Sequence, residues 1–235
     1  MSTTPVRGTT AFNGIPRWTI HELRSPLTAI RGYAQLLQRG ARSPEQAERA
    51  YATIFRESER LASMLDQLSK VAEATLGGSD AQPARFDLGQ VAARAVEQAR
   101  GRWPEHRLEC EAAEGIEVIV DPRRIDELLA ILLDNAAIYS EPGSRIDVRV
   151  GSEGRVSCVS IRDQGIGIPP DELESIFLCF KRASNVGKAG SAGTRGLGIG
   201  LYLARTITAE AGGRLWAESR LDHGSTFTLA LPLAP

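Results

Sequence analysis

The sequence predicts an α+β fold: a helical hairpin that joins a second copy of itself as a four-helix bundle, then a layered α/β sandwich. Three observations carry this. Apolar residues in the first third recur in steps of three and four. GGSDAQP at 77–83 then breaks the pattern and reads as a linker. Beyond it, helical patterns are interspersed with short, mostly antiparallel strand-like runs, and no internal repeat is visible.

The first helix carries its seam at Ile20, Leu23, Leu27, Ile30, Ala34 and Leu37. Gly40 suits a left-handed position closing that helix. Ser43, Pro44 and Gln46 start the next one: Ser43 caps, Pro44 takes the first helical position and Gln46 completes a capping box. The seam resumes at Tyr51, Ile54, Ser58, Leu61, Leu65, Leu68 and Ala72. Two helices cannot enclose a seam of this length, and a second copy is the economical partner, which predicts a homodimer. The expected division is a hairpin over 1–77, a linker over 78–83 and a second domain over 84–235.

In the second domain Asp87 can cap a helix over about 88–101. RLECEA and EVIVD read as strands, followed by a helix over about 122–140. RIDVRV and VSCVSIRD form a hairpin around Ser152-Glu153-Gly154. A glycine-rich region leads to a helix over about 198–211 that stops at Gly212-Gly213, and GRLWAES with STFTLALPL closes the chain as a second hairpin.

Composition narrows the function classes. With 42% hydrophobic and 24% charged residues the chain is ordinary for a globular protein. A net charge of −1 provides no field for nucleic acid or an anionic membrane. No run approaches the roughly 18–20 apolar residues of a membrane span, and MSTTPVRGTTAFNGIPRW lacks the apolar core of a signal peptide. Cys110, Cys158 and Cys179 lack metal-type spacing and read as reduced packing residues of a cytosolic protein. His21, His106 and His223 are far apart, so no zinc-like set is visible.

Four stretches carry chemistry. His21 lies just off the hairpin seam, where a histidine is either a polar surface residue or a nucleophile. Glu22 follows it, and Pro26, five residues on, removes the N–H that would bond the Glu22 carbonyl, at a cost of about 3 kcal/mol. Local freedom beside a reacting imidazole explains such a cost, with the carboxylate holding the second ring nitrogen. In ILLDNAAIY, Asp134 and Asn135 interrupt an apolar helix, either as its solvent face or with Asn135 pointing into a cavity. Asp163-Gln164-Gly165-Ile166-Gly167 ends a strand. It reads as a plain turn or as a site where a carboxylate accepts from an exocyclic amine while glycines admit a flat base. Gly193 to Gly200 precedes a helix whose free N–H groups suit phosphate. Upstream, no acidic residue falls between Glu174 and Glu210, whereas Lys181, Arg182, Lys188, Arg195 and Arg205 do; NVGKAGSAG within that span suits a mobile lid or a disordered loop.

In this order the motifs resemble the catalytic core of bacterial sensor histidine kinases. HELRSPL resembles the family's H box, LLDNAAIYS its N box, DQGIGIP its G1 box, IFLCFKR its F box and GTRGLGIGL its G2 box, so the resemblance spans about residues 18 to 233. It implies a dimerisation and phosphotransfer hairpin followed by a gyrase-type ATP-binding sandwich. His21 would take the γ-phosphate from Mg²⁺-ATP with Glu22 as acid–base, and the phosphoryl group would pass to an aspartate on a response-regulator receiver domain. Asn135 would coordinate Mg²⁺, Asp163 would hold the adenine amine, and Gly165 and Gly167 would make room for the base. Arg195, Gly196 and Gly198 would lie near the phosphates, and Tyr139, Arg182 and Leu197 complete the implied nucleotide set. Input would come from a separate sensor or membrane partner, or the chain is a fragment of a longer protein.

The sequence departs from the family pattern at Ile131, commonly asparagine, at Ile138, commonly lysine, and at Cys179, commonly arginine. Each good hydrogen bond to a charged group is worth about 1.5–3 kcal/mol, so their loss weakens nucleotide binding. Ile131 also cannot activate water, which favours transfer to histidine over hydrolysis. The competing readings are a phosphotransfer or scaffold protein with a weakened nucleotide domain, and a serine kinase or simple ATPase on the same sandwich.

Overall fold

The structure, a computed structural model, describes residues 16–41, 43–76, 81–186 and 196–235. It opens with two long helices, α1 (Arg17–Gln38) and α2 (Pro44–Leu76). The expected signals are in place between them. Gly40 has φ +88° and its N–H bonds the Leu37 carbonyl at 3.1 Å. The Ser43 hydroxyl accepts from the Gln46 N–H at 3.2 Å, directly before Pro44 opens α2. Helix α1 runs through Pro26 without a break. The hairpin leaves much of its seam uncovered: Ile20, Leu27, Tyr51 and Leu65 are exposed, as is Phe55, 70% exposed and off the expected seam.

The second part comprises β1 (Ala84–Asp87), α3 (Leu88–Arg102), β2 (Arg107–Ala112), β3 (Glu117–Val120), α4 (Pro122–Ile138), β4 (Arg145–Glu153) and β5 (Val156–Arg162), then α5 (Gly200–Glu210), β6 (Arg214–Arg220) and β7 (Gly224–Pro232). Two short 3₁₀ turns, Pro170–Glu172 and Ser175–Phe177, lie between β5 and α5. Five strands form one sheet in the order β2-β4-β5-β7-β6, in which only the β2–β4 pair is parallel. Alternate residues such as Ile146, Val148, Val159, Ile161, Leu229 and Leu231 are buried against helices α3, α4 and α5. Leu128, Leu129, Leu132 and Leu133 of α4 are each at most 1% exposed. Burying each contributes about 1.5–3 kcal/mol, which makes α4 the best-anchored helix of the sandwich.

Caps fix the helix starts. Asp87 accepts from the Gln90 N–H at 3.1 Å, as its position predicted. Asp121 caps α4 by accepting from the Arg123 N–H at 3.0 Å and also takes the Gln82 N–H at 2.9 Å. The Arg123 guanidinium beside it holds its carboxyl well below the usual range.

Two details differ from the sequence expectation. Strand β1 was not anticipated; at four residues it is too short for its alternation to stand out, and it forms a separate antiparallel pair with β3. The β4–β5 turn falls one residue later, at Gly154-Arg155, because Gly154 alone supplies the positive φ, +60°, and Glu153 stays paired with Val156. The two parts also touch. Met64 and Val71 of α2 form a buried cluster with Phe180, Leu197, Ile199 and Leu203 of the sandwich, joined by Trp18, Leu23 and Leu68. Lys70 pairs with Glu127 across the same boundary.

Candidate active site

Helix α4 ends at a cavity of about 360 Å³. Its last turns border that cavity with Ile131, Asp134, Asn135 and Ile138, and the cap residue Tyr139 follows. The adjacent pair is divided by its partners. Asp134 Oδ1 accepts from Trp103 Nε1 at 2.9 Å and from Arg102 Nε and Nη2 at 3.2 and 3.1 Å, tying α4 to the end of α3. Asn135 is half-buried, and its side chain forms no hydrogen bond among the described residues. Its amide is therefore available to a ligand.

Asp163 stands at the end of β5, 4% exposed. One oxygen, Oδ1, accepts both the Gly165 N–H at 2.8 Å and the Ser225 N–H at 3.0 Å. Burial pushes the carboxyl up to about 6, against the pull of these two donors. Oδ2 takes no hydrogen bond among the described residues, and Asp163 borders the cavity. The carboxylate thus spends one oxygen on the fold and keeps the other for a donor in the cleft.

The G1 glycines work differently from the expected clearance for a base. A Cβ on Gly165 would run into the Tyr139 carbonyl, and one on Gly167 (φ +68°) into the Arg220 carbonyl. The loop needs glycine because neighbouring backbone occupies the space of a side chain. Gly165 does not border the cavity, whereas Gly167 does. Asn185 Nδ2 donates to the Gly167 carbonyl at 2.9 Å, which fixes the loop from the other side.

On the opposite wall α5 presents its N-terminus, which no side chain caps, with Ile199, Gly200 and Leu201 at the cavity. Open N–H groups of this kind suit an anion. Gly198 (φ +65°) packs against the Lys181 carbonyl, while nothing lies within 4 Å of a Cβ placed on Gly196. Leu197 borders the cavity but is 1% exposed and belongs to the cluster with α2. Arg182 and Tyr139 both border the cavity; burial raises the Tyr139 phenol, and the Arg182 charge opposes this. Arg195, Lys188 and most of NVGKAGSAG lie outside the described residues.

Ile131 and Ile138 border the cavity, so the two departures in the N box do remove polar groups from it. Cys179 does not. It packs in the cluster against α2. His21 is exposed on α1 and is not brought to the cavity; Glu22 beside it pairs with Arg60 of α2. Two residues absent from the sequence reading, Ser63 and Gln67 of α2, do border the cavity. They carry no local signal, because only the docking of α2 brings them there.

Residues 20–75 match a model of the His Kinase A (phospho-acceptor) domain. Residues 120–235 match a model of the histidine kinase-, DNA gyrase B- and HSP90-like ATPase family. Together the two matches give the chain the catalytic core of a two-component histidine kinase. Among curated sensor kinases it is 30% identical to the sensor protein VanS of Enterococcus faecium over 226 residues, 95% of this chain and 58% of that one. It is 35% identical to the sensor histidine kinase YkoH of Bacillus subtilis over 210 residues, 89% of this chain and 45% of that one. The chain thus spans about half the length of the curated relatives it matches. A solved histidine kinase, ThkA in complex with the response regulator protein TrrA, shares the fold with a TM-score of 0.72 at 22% identity, covering 93% of this chain and 60% of that one. The two matched segments correspond to the hairpin and to the sandwich from the end of β3 onward, and the ATPase match supports the use of ATP.

Proposed function

We propose that this chain is an ATP-dependent protein histidine kinase that phosphorylates His21 and passes the phosphoryl group to an aspartate of a response-regulator receiver domain. The observation that carries the reading is the unspent Oδ2 of Asp163 and the unpartnered amide of Asn135, both at one cavity beneath an uncapped helix start. Asp163 accepts from the adenine amine. Asn135, Tyr139, Arg182, Arg195, Gly196, Leu197 and Gly198 surround the rest of the nucleotide, with Gly165 and Gly167 fixing the loop below it. His21 is the phosphate acceptor and Glu22 its acid–base partner.

The residues fit Mg²⁺. Among the described residues no group of three His, Cys, Asp or Glu side chains could hold a metal alone. Mg²⁺ bound to a nucleotide takes few protein ligands and is completed by phosphate and water, so one amide oxygen, that of Asn135, suffices. When bound, the ion neutralises charge on the transferring phosphoryl group.

The reading divides the chain into a dimerisation and phosphotransfer hairpin (1–77), a linker (78–83) and a catalytic domain (84–235). Exposed Ile20, Leu27, Tyr51, Phe55 and Leu65 support a homodimer, since a second hairpin would cover them. No described helix is long and apolar enough to cross a membrane. We place this core in the cytoplasm, where ATP is available and free Cys110, Cys158 and Cys179 stay reduced. Input reaches it from a separate sensor, from a membrane partner or from further sequence of the same protein.

Ile131 and Ile138 at the cavity favour one second reading, a phosphotransfer or scaffold protein with weakened nucleotide binding. Labelled ATP with Mg²⁺ separates the two. The kinase acquires an acid-labile label that His21→Gln and Asn135→Ala both abolish; a chain with neither label nor nucleotide binding refutes the kinase reading.

A further inference from the structure

We infer that Arg60 is a positioning residue for phosphoryl transfer at His21, acting through Glu22; the inference rests on the kinase reading above. Arg60 belongs to α2, yet its guanidinium faces the reacting turn of α1. One terminal nitrogen, Nη2, lies 3.5 Å from Glu22 Oε2, and the other, Nη1, lies 3.5 Å from Glu57 Oε2. The side chains of Arg60 and Glu22 are 21% and 27% exposed, so water screens this pair less than an open surface pair. By contrast Arg56, which also approaches Glu57, is 69% exposed. Among the described residues Arg60 is the ion-pair partner of Glu22.

The backbone supplies a second reason for an external restraint. Pro26 lies inside α1 and has no N–H to give the Glu22 carbonyl. The turn that carries His21 and Glu22 therefore lacks one of its own hydrogen bonds, and Arg60 ties it to α2 instead. Arginine suits this task because its two terminal nitrogens can hold two carboxylates in fixed directions, whereas lysine presents a point charge.

In the transfer step a ring nitrogen of His21 gives its electron pair to the γ-phosphorus. The bond from phosphorus to the bridging oxygen breaks, its electron pair leaves with ADP, and the proton on the other ring nitrogen passes to Glu22. That proton transfer needs the carboxylate held within reach of the ring as the bond forms. A small misplacement of such a group reduces the rate by up to about a hundredfold without altering nucleotide binding. Arg60 sets that placement through Glu22 and does not line the cavity.

The test uses the full chain with labelled ATP and Mg²⁺ and compares wild type, Arg60→Ala, Arg60→Lys, Glu22→Gln and the Glu22→Gln/Arg60→Ala pair. The expected result for Arg60→Ala is a kcat about tenfold or more below wild type with KM for ATP unchanged. Arg60→Lys recovers part of the loss, and in the Glu22→Gln background removal of Arg60 adds little. Circular dichroism and sedimentation confirm that each variant keeps its helices and its assembly. A wild-type kcat in Arg60→Ala overturns the inference, as does a loss that falls on KM, or an equal loss with and without Glu22. A wild-type chain that acquires no label at His21 overturns the kinase reading itself, a result distinct from any of these.

Discussion

Replacing Asp163 with asparagine separates what this carboxylate does for the fold from what it does for the nucleotide. Oδ1 accepts both the Gly165 and Ser225 N–H groups, and the amide oxygen of asparagine can take its place. The amide nitrogen then stands where Oδ2 stood, presenting donors to the cleft. The stability change follows from the carboxyl being raised by burial from 3.8 to about 6. A raised value means that the fold disfavours the ionised form. The penalty is absent below pH 3.8, grows as the pH rises to about 6 and is complete above it, reaching about 3 kcal/mol. Asparagine never ionises and escapes it. Urea denaturation without nucleotide is therefore expected to find Asp163→Asn more stable than wild type at pH 7.5, by up to about 3 kcal/mol, with the two converging towards pH 4. Nucleotide affinity moves the other way. Loss of a bond to a charged acceptor, about 1.5–3 kcal/mol, weakens binding by roughly ten- to a hundredfold in a fluorescent-nucleotide titration. Unchanged affinity, or a variant destabilised at pH 7.5 and pH 4 alike, refutes the assignment of the two oxygens.

Two further expectations concern the contact between hairpin and sandwich. Met64→Ala removes a side chain only 3% exposed from the shared cluster, at a cost of about 2–5 kcal/mol. Hydrogen exchange is expected to accelerate along α2 near Met64–Val71 while the five-stranded sheet keeps its protection. Burial pushes the Cys179 thiol up to about 11, so alkylation by iodoacetamide is expected to be slow at pH 8, to rise steeply towards pH 11 and to be faster in Met64→Ala.

The elements legible in the sequence are those with a strong period or a local signal. Helix α4 carries an apolar run within its seventeen residues, so its existence could be read directly. Gly40, Ser43 and Pro44 marked the hairpin turn because each has a distinct backbone preference. Strand β1 escaped because four residues are too few to establish a period, and their partner β3 lies beyond an intervening helix. At the site, Asp163 and Asn135 were identifiable from their motifs. The reason for Gly165 was not, since the Tyr139 carbonyl that excludes its side chain comes from another element. Ser63 and Gln67 were equally hidden. Met64 lies off the expected seam and Leu197 fell in the implied nucleotide set, and nothing in the one-dimensional pattern pairs either with Leu203.

Ile131 belongs to both apolar clusters, the one inside the sandwich and the one shared with α2. Its Cγ2 also lies 3.2 Å from the position a Cβ on Gly200 would take, at the start of α5. Polar groups at this position would serve the phosphates, but this chain uses it as mortar between two masonry courses. Loosening either cluster therefore strips neighbours from a residue the other cluster also needs. Substitutions on the two sides of Ile131 act on a single cooperative unit, and their effects on stability do not add.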